Sequence, residues 1–480
     1  MFEVPVSIRP ADRLRTMAGQ QAGDRYDVLV REAWLHLRGR RVWHINAMAE
    51  GGGVAELLST TLGYLPGDGI EVHWLVIDAD ARFFEITKRT HNRLHGDLGD
   101  GGPLGEAERR HYDETLRREL GEILRIVRPG DLAVIHDPQP LGLVPGLTAA
   151  GVTVVWTCHV GADTASDITR SAWAFLREDV QAARAATFTR RAYAWEGLDA
   201  DSFHVIPPCI DPLSLKNIEI DEPDVVSILR DAAILDGRDH GYRFRHSDGS
   251  EVSIAHPAHM SADEPVPADA LLVVQVSRWD SLKDPIGVMN GFAETQDLAD
   301  AHLVLAGPAP SSVADDPEAQ VVLDGVRERW GRLRDRTRAR VHIANLPVDD
   351  TQENALVVNA LQRRADVVVQ KSLAEGFGLT VTEAMWKSRP VVAGGVGGIR
   401  DQIDDGVSGV LIDPRDLESF GAAVAGVIGD PARAATLGEE ARRRVQDRYL
   451  PTRYLGAYLE LFLQLIRADS ADQGVPRKPS

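Results

Sequence analysis

The sequence predicts an α/β chain made of two doubly wound parallel-sheet domains, and three observations predict it. Short apolar runs rich in β-branched residues alternate with segments of helical periodicity. The alternation stops in a proline-rich stretch after residue 206 and restarts at residue 271. Within the runs, polar residues do not alternate with apolar ones, as expected for strands whose two sheet faces are both covered by helices.

In the first block the runs are 41–45 (RVWHI), 72–77 (VHWLVI), 132–136 (LAVIH), 152–157 (VTVVWT), 186–189 and 203–206. Residues 107–127 carry apolar side chains at helical spacing. Pro207, Pro208 and Pro212 end the block, and the acidic, proline-containing residues 221–224 extend the break. Period-two segments around Asp248-Gly249 in residues 242–256 predict an inserted β-hairpin, and residues 262–270 (ADEPVPADA) read as a loop. The second block runs through 271–276 (LLVVQV), 303–306, 341–344, 366–370 (DVVVQ), 390–393 and 410–412. Residues 455–466 read as one more helix. The expected organisation is an N-terminal domain at 1–213 and a C-terminal domain at 214–450 with the hairpin near 241–258. A helix at 451–468 returns to the N-terminal domain, and a disordered polar tail follows at 469–480. Doubly wound sheets take ligands beyond the carboxyl ends of their strands, so two such domains facing each other predict a cleft.

Composition narrows the function. The 480 residues hold 53 Lys and Arg against 72 Asp and Glu, a net charge of −19, which repels nucleic acid and anionic membranes. Two cysteines, Cys158 and Cys209, make neither a disulfide framework nor a zinc site and fit a reducing cytoplasm. The first residues, MFEVPVSIRPADRLR, lack the apolar core of a signal peptide, and no run of 18 apolar residues predicts a membrane span.

Five segments follow predicted strands and carry chemistry. Residues 50–58 (EGGGVAELL) open a helix with glycines that admit a ligand to the backbone, and a helix N-terminus favours an anion. Gly51 and Gly53 fit the start of a dinucleotide fingerprint, but Glu56 stands where its third glycine belongs, which argues against a nicotinamide site. Residues 277–285 (SRWDSLKDP) place Arg278 and Lys283 after the first strand of the second block, where two cations can hold a diphosphate. Residues 371–387 (KSLAEGFGLTVTEAMWK) run from a strand through a glycine loop into a helix starting near Leu379, with Glu375 in the loop and Glu383 on the helix. An all-helical span would separate the two carboxylates by about 12 Å, which argues against a hydrolase pair, although the loop can shorten the gap. Residues 136–140 (HDPQP) and 156–159 (WTCH) add His136, Asp137, Gln139 and His159, with Cys158 read as buried packing. Asp78-Ala79-Asp80 resembles a DxD metal motif, but the same tripeptide recurs at 199–201, and the cations make a metal unnecessary.

Together, the early glycine loop, Arg278-x4-Lys283 and Glu375-x7-Glu383 resemble the retaining glycosyltransferases of family 4. GGGVAELL, HDPQPLG, CIDPLSLKN, VSRWDSLKDPIGVM, ENALVVNALQRRADVVVQKSLAEGFGLTVTEAMWK and PVVAGGVGGIRDQI are similar to the trehalose synthases of the glycosyltransferring type. The resemblance implies the GT-B fold, two Rossmann-like domains around a nucleotide-sugar cleft. It also implies reversible transfer of glucose from a nucleoside-diphosphate glucose (UDP-, ADP- or GDP-glucose) to glucose with retention, and no cofactor or metal. By the same resemblance Arg278 and Lys283 hold the donor diphosphate, with Gly52 and Gly53 against it. Glu375 and the backbone of Gly376, Phe377 and Gly378 hold the glucosyl hydroxyls, Leu379 and Thr380 open the helix at the phosphate, and Glu383 holds the ribose. His159 lies beside the transferred sugar, with Asp137 and Gln139 on the acceptor; His159, Arg278, Lys283 and Glu375 are the catalytic set. The chain departs from the family at Thr157, where the family carries Arg, and at Cys209, where it carries Ser. Partners are small sugars, with a homodimer as the assembly to test. The alternatives are a trehalose phosphorylase-like enzyme, a family 4 transferase with another acceptor, or a GT-B sugar-nucleotide epimerase.

Overall fold

The computed structural model describes residues 1–50, 52–199, 203–237, 241–245, 249–298, 300–310 and 318–472. The chain divides into two compact units, 1–211 with 447–480, and 212–446. Among the described residues no helix is long and apolar enough to cross a membrane.

The first unit is built on a seven-stranded sheet of β1 (Phe2–Val4), β2 (Val42–Asn46), β3 (Val72–Val76), β4 (Leu132–His136), β5 (Thr153–Cys158), β6 (Ala185–Phe188) and β7 (Phe203–Val205), in the order β1-β3-β2-β4-β5-β6-β7. Six strands are parallel and β1 is antiparallel, pairing Glu3 with Leu75. One face of the sheet, with Trp43, Ile45, Ile135 and Trp156, packs into a core with Phe83, Tyr112 and Leu176 from the helices Ala81–Leu94, Glu106–Ile123 and Asp167–Gln181. The opposite face carries His44, His136 and Thr157. Tyr458 of the helix Pro451–Asp472 reaches it, its hydroxyl 2.9 Å from Thr157 Oγ1.

The second unit repeats the plan with β8 (Arg243–Arg245), β9 (Glu251–Ser253), β10 (His259–Ser261), β11 (Leu271–Val276), β12 (Ala301–Pro308), β13 (Val341–Leu346), β14 (Val367–Gln370), β15 (Val391–Gly394) and β16 (Val410–Ile412). Its main sheet runs β10-β13-β12-β11-β14-β15-β16, with β10 antiparallel. Strands β8 and β9 form the antiparallel ladder of the expected hairpin, pairing Phe244 with Val252. Asp248, on which its turn was placed, lies outside the described residues, as do Gly51, Ala200 and Asp201.

The structure corrects the sequence reading in three places. Each parallel sheet carries an antiparallel edge strand that the sequence pattern did not show. Three-residue edge strands such as β1 and β10 are too short to show a period. Residues 221–224 do not prolong the break: Asp221 precedes the helix Glu222–Asp231, whose first turn holds Pro223 and two acids, all helix-starting signals. The last helix runs on to Asp472, into the stretch read as tail, and Asp469 there accepts from Thr153 Oγ1 at 3.2 Å and pairs with Arg184.

A second polar pair lies on the other sheet, where the half-buried His302 has Nδ1 2.9 Å from Nε2 of the buried His342. Burial, with the neighbouring His302, lowers the His342 pKa to about 4. The unfolded chain takes up a proton near pH 6.5 that the folded chain refuses. Stability is therefore full above that pH and declines as pH falls toward 4, by about 1.4 kcal/mol per pH unit for each such histidine. Urea titrations at about pH 6.5 and 4.5 should show this slope, and His342→Gln should make it shallower. A midpoint that does not move over that range would contradict the assignment.

Candidate active site

In the second unit, the chain leaves β11 through Ser277 and Arg278. Trp279 turns inward, buried, with its indole N–H donated to Asn345 Oδ1 at 3.3 Å, and so leaves Arg278 exposed beside Asp280 at 3.4 Å. Asp280 accepts from the Leu282 amide at 2.8 Å and winds residues 281–283 into a single 3-10 turn. Asp284, in the left-handed region at φ 49°, then caps the helix Pro285–Glu294 through the Gly287 amide at 3.0 Å.

The loop after β14 is stitched to this turn at three points. The Leu373 amide donates to Leu282 O at 2.8 Å, the fully buried Lys371 ammonium pairs with Asp284, and Lys283 Nζ lies 2.5 Å from Glu375 Oε2. Ser372 Oγ donates to the same Glu375 oxygen at 3.1 Å. Gly376 and Phe377 are held from behind, Gly376 O by the Gly398 amide at 3.2 Å and Phe377 O by the Gln402 amide. A Cβ on Gly398 would sit 2.6 Å from Phe377 Cα, so glycine permits that approach. Gly378, at φ 91°, turns the chain into the helix Leu379–Trp386, with Leu379 and Thr380 half-buried in its first turn. Glu383, one turn further, is buried with Oε1 3.4 Å from Lys216.

In the first unit, polar groups gather at the carboxyl ends of β2, β4 and β5. The register pairs His44 with Val134 and His136 with Thr157, so His44, His136 and His159 climb diagonally across one face. His44 Nδ1 lies 3.0 Å from His136 Nε2, and His136 Nδ1 lies 3.2 Å from His159 Nε2. Burial lowers all three pKa values, His44 to about 3. Asp137, at φ 63°, accepts the His159 amide on Oδ1 at 2.8 Å and donates its own amide to Thr157 O at 2.8 Å. Burial raises its carboxyl pKa, opposed by the imidazole and amide of His159. Gln139 is half-buried two residues on. Gly52 and Gly53 open the helix Gly53–Thr61, and a Cβ on Gly52 would meet nothing within 4 Å.

Two further residues have structural roles. Cys158 is buried, donates to Val160 O at 3.1 Å and has its thiol pKa pushed up by burial, as packing requires. Asp80 caps the helix Ala81–Leu94 through the Phe83 amide at 2.8 Å and faces His111 at 2.9 Å, a structural use of the DxD tripeptide.

The structure thus brings Lys283 and Glu375 together, and His159 and Asp137 together. It places Arg278 against Asp280 and Glu383 against Lys216. The sequence reading missed Lys371, Asp284, Lys216 and His44. A lysine directly after an apolar strand, and a histidine inside one, were the available signals.

Residues 44–195 match the family described as trehalose synthase, N-terminal domain, and residues 259–444 match glycosyl transferases group 1. The trehalose synthase of Rubrobacter xylanophilus is 34% identical over 439 residues, 90% of this chain and 92% of that protein. The trehalose synthase of Pyrococcus horikoshii is 30% identical over 89% of this chain and 91% of its own length. Among solved structures, the trehalose 6-phosphate synthase of Burkholderia multivorans superposes with a TM-score of 0.64 at 15% identity, over 90% of this chain and 99% of that one. HepE of Anabaena, in complex with UDP and glucose, superposes with a TM-score of 0.59 at 16% identity, over 88% of this chain and 100% of that one. With the two parallel-sheet units and both family matches in hand, the chain is a GT-B glycosyltransferase, a hexosyltransferase that belongs to the trehalose synthase family.

Proposed function

We propose that the chain is a retaining, metal-independent glucosyltransferase that moves glucose from a nucleoside-diphosphate glucose to free glucose, making trehalose reversibly. The observation that carries this reading is the Lys283–Glu375 ion pair at 2.5 Å, set beside the N-terminus of the helix Leu379–Trp386. A cation, a carboxylate and a helix dipole on one stitched turn suit a ligand with a phosphate at one end and sugar hydroxyls at the other. The 34% identity to a trehalose synthase supports the choice of sugars, and a neighbour of the same fold was crystallised with UDP and glucose.

On this reading Arg278 and Lys283 bind the diphosphate. Glu375 and the backbone from Gly376 to Gly378 take glucosyl hydroxyls, Leu379 and Thr380 present the helix N-terminus, and Glu383 with Lys216 meets the ribose. Gly52, where a Cβ would meet nothing within 4 Å, and Gly53 lie against the diphosphate. His159 lies at the anomeric centre, and Asp137 and Gln139 serve the acceptor. Cys158 is buried and Asp137 is tied to the His159 amide, so neither suits a nucleophile. That supports front-face attack. The acceptor oxygen bonds to C1 as the bond from C1 to the phosphate oxygen breaks, and the acceptor proton passes to the departing phosphate. Arg278, Lys283 and the helix dipole stabilise the charge that develops there.

Transfer assays with UDP-, ADP- and GDP-glucose against glucose, reading nucleotide release and the anomeric signal of the product, test the reading directly. Phosphate release when glucose 1-phosphate replaces the nucleotide donor, or turnover without acceptor, would replace it with a phosphorylase or an epimerase.

Arg278→Ala and Lys283→Ala are each expected to lower kcat by about 10²–10³-fold, with the circular dichroism spectrum unchanged. Wild-type turnover in either variant removes that residue from the diphosphate site.

Activity should also survive EDTA. Loss on chelation that manganese restores would reinstate Asp78 and Asp80 as metal ligands.

A further inference from the structure

The row of histidines in the first unit does more than fill space. We propose that His44 and His136 are positioning residues that fix the tautomer of His159, so that His159 meets a sugar oxygen as a hydrogen-bond donor through Nδ1. The inference rests on the reading of His159 as the residue beside the transferred sugar.

Three observations carry it. First, the rings form one nitrogen-to-nitrogen row, at 3.0 and 3.2 Å, and adjacent planes are tilted by only 23° and 6°. Near-coplanar rings keep each N–H aimed at the next lone pair. Second, the far end of the row is closed. His44 Nε2 is buried and has no hydrogen-bond partner among the described residues. Tyr458 packs edge-on to His44, but its hydroxyl is engaged with Thr157. Third, His44 and His136 are almost wholly buried, and burial keeps the rings neutral near pH 7.

A neutral row has two proton arrangements. In one, His44 carries its proton on Nε2, where a buried N–H has no acceptor; such orphaned donors are rare and costly. In the other, His44 Nδ1–H donates to His136 Nε2 and His136 Nδ1–H donates to His159 Nε2. The second leaves only a bare nitrogen at the closed end. It also forces the proton of His159 onto Nδ1, the ring atom that takes no hydrogen bond from the described residues. All three rings then hold the tautomer that free histidine disfavours in water.

The test is long-range proton–nitrogen NMR on the full chain labelled with ¹⁵N-histidine, the three rings assigned by single substitutions. The expected result is Nδ1–H in all three rings of the wild type, and an Nε2–H signal from any of them overturns the proposal. His136→Asn keeps an amide donor toward His159 and should preserve both its tautomer and kcat. His136→Asp, once ionised, offers only an acceptor there. It should place a proton on His159 Nε2 and lower kcat by about tenfold, with the donor KM little changed. An unprotonated His159 Nε2 in folded His136→Asp, at a pH where the new carboxyl is ionised, also overturns the proposal. If the wild type transfers no glucose, the functional reading fails, yet the spectra still decide the tautomers.

Discussion

Burial of both faces of each sheet is the constraint on which everything else rests. The parallel strands inside each sheet are covered on both sides, so a polar side chain on such a strand must find a partner inside the protein or sit at a strand end. Both outcomes occur. Gln275 and Gln370, buried near the ends of β11 and β14, donate to Ser277 and Ser372 two residues on. Asp137, His159, Arg278 and Lys283 lie beyond strand ends, where ligands of doubly wound sheets bind. The placement of chemistry therefore follows from the packing of the apolar residues around it.

The same constraint explains the wiring of the second unit. Lys371 directly follows β14 and is wholly buried, which is costly for an ammonium unless it is paired. Asp284 supplies the partner and is itself held in a left-handed turn that starts a helix. One buried pair thus fixes the end of the Arg278–Lys283 turn to the start of the Glu375 loop. Lys283 and Glu375 then meet without having to organise the backbone themselves. Arrangements of this kind lower the ordering cost that a ligand would otherwise bear.

How much of this was legible in the sequence depended on length and period. Strands such as β4, β11 and β16 were readable to the residue because four or more apolar residues, or flanking turn signals, marked them. The antiparallel edge strands β1 and β10 were not, since their pairing is set by a neighbour in space. Glu375 stood out because it precedes a glycine in the loop after an apolar strand, and Arg278 and Lys283 because two cations follow the first strand of the second block. His44 did not, because one histidine in VWHIN reads as an ordinary core residue. Its meaning appears only when strand register brings it diagonally to His136. Lys371 was hidden in the same way, since its partner lies 87 positions away. Long-range partners chosen by sheet order cannot be deduced from local pattern.

The two units present different chemistry, and the difference bears on how a donor would be held. The first offers neutral imidazoles and a carboxylate tied to an amide; the second offers charges. In the second, Lys283 is already satisfied by Glu375. At an effective dielectric near 20, unit charges 4 Å apart attract by about 4 kcal/mol. A singly charged anion that merely drew Lys283 away would therefore gain little. A diphosphate brings more charge, can engage the exposed Arg278 as well, and carries sugar hydroxyls that donate to the carboxylate Lys283 leaves behind. On the proposed reading the ion pair would favour a ligand that satisfies both partners at once over a simple anion.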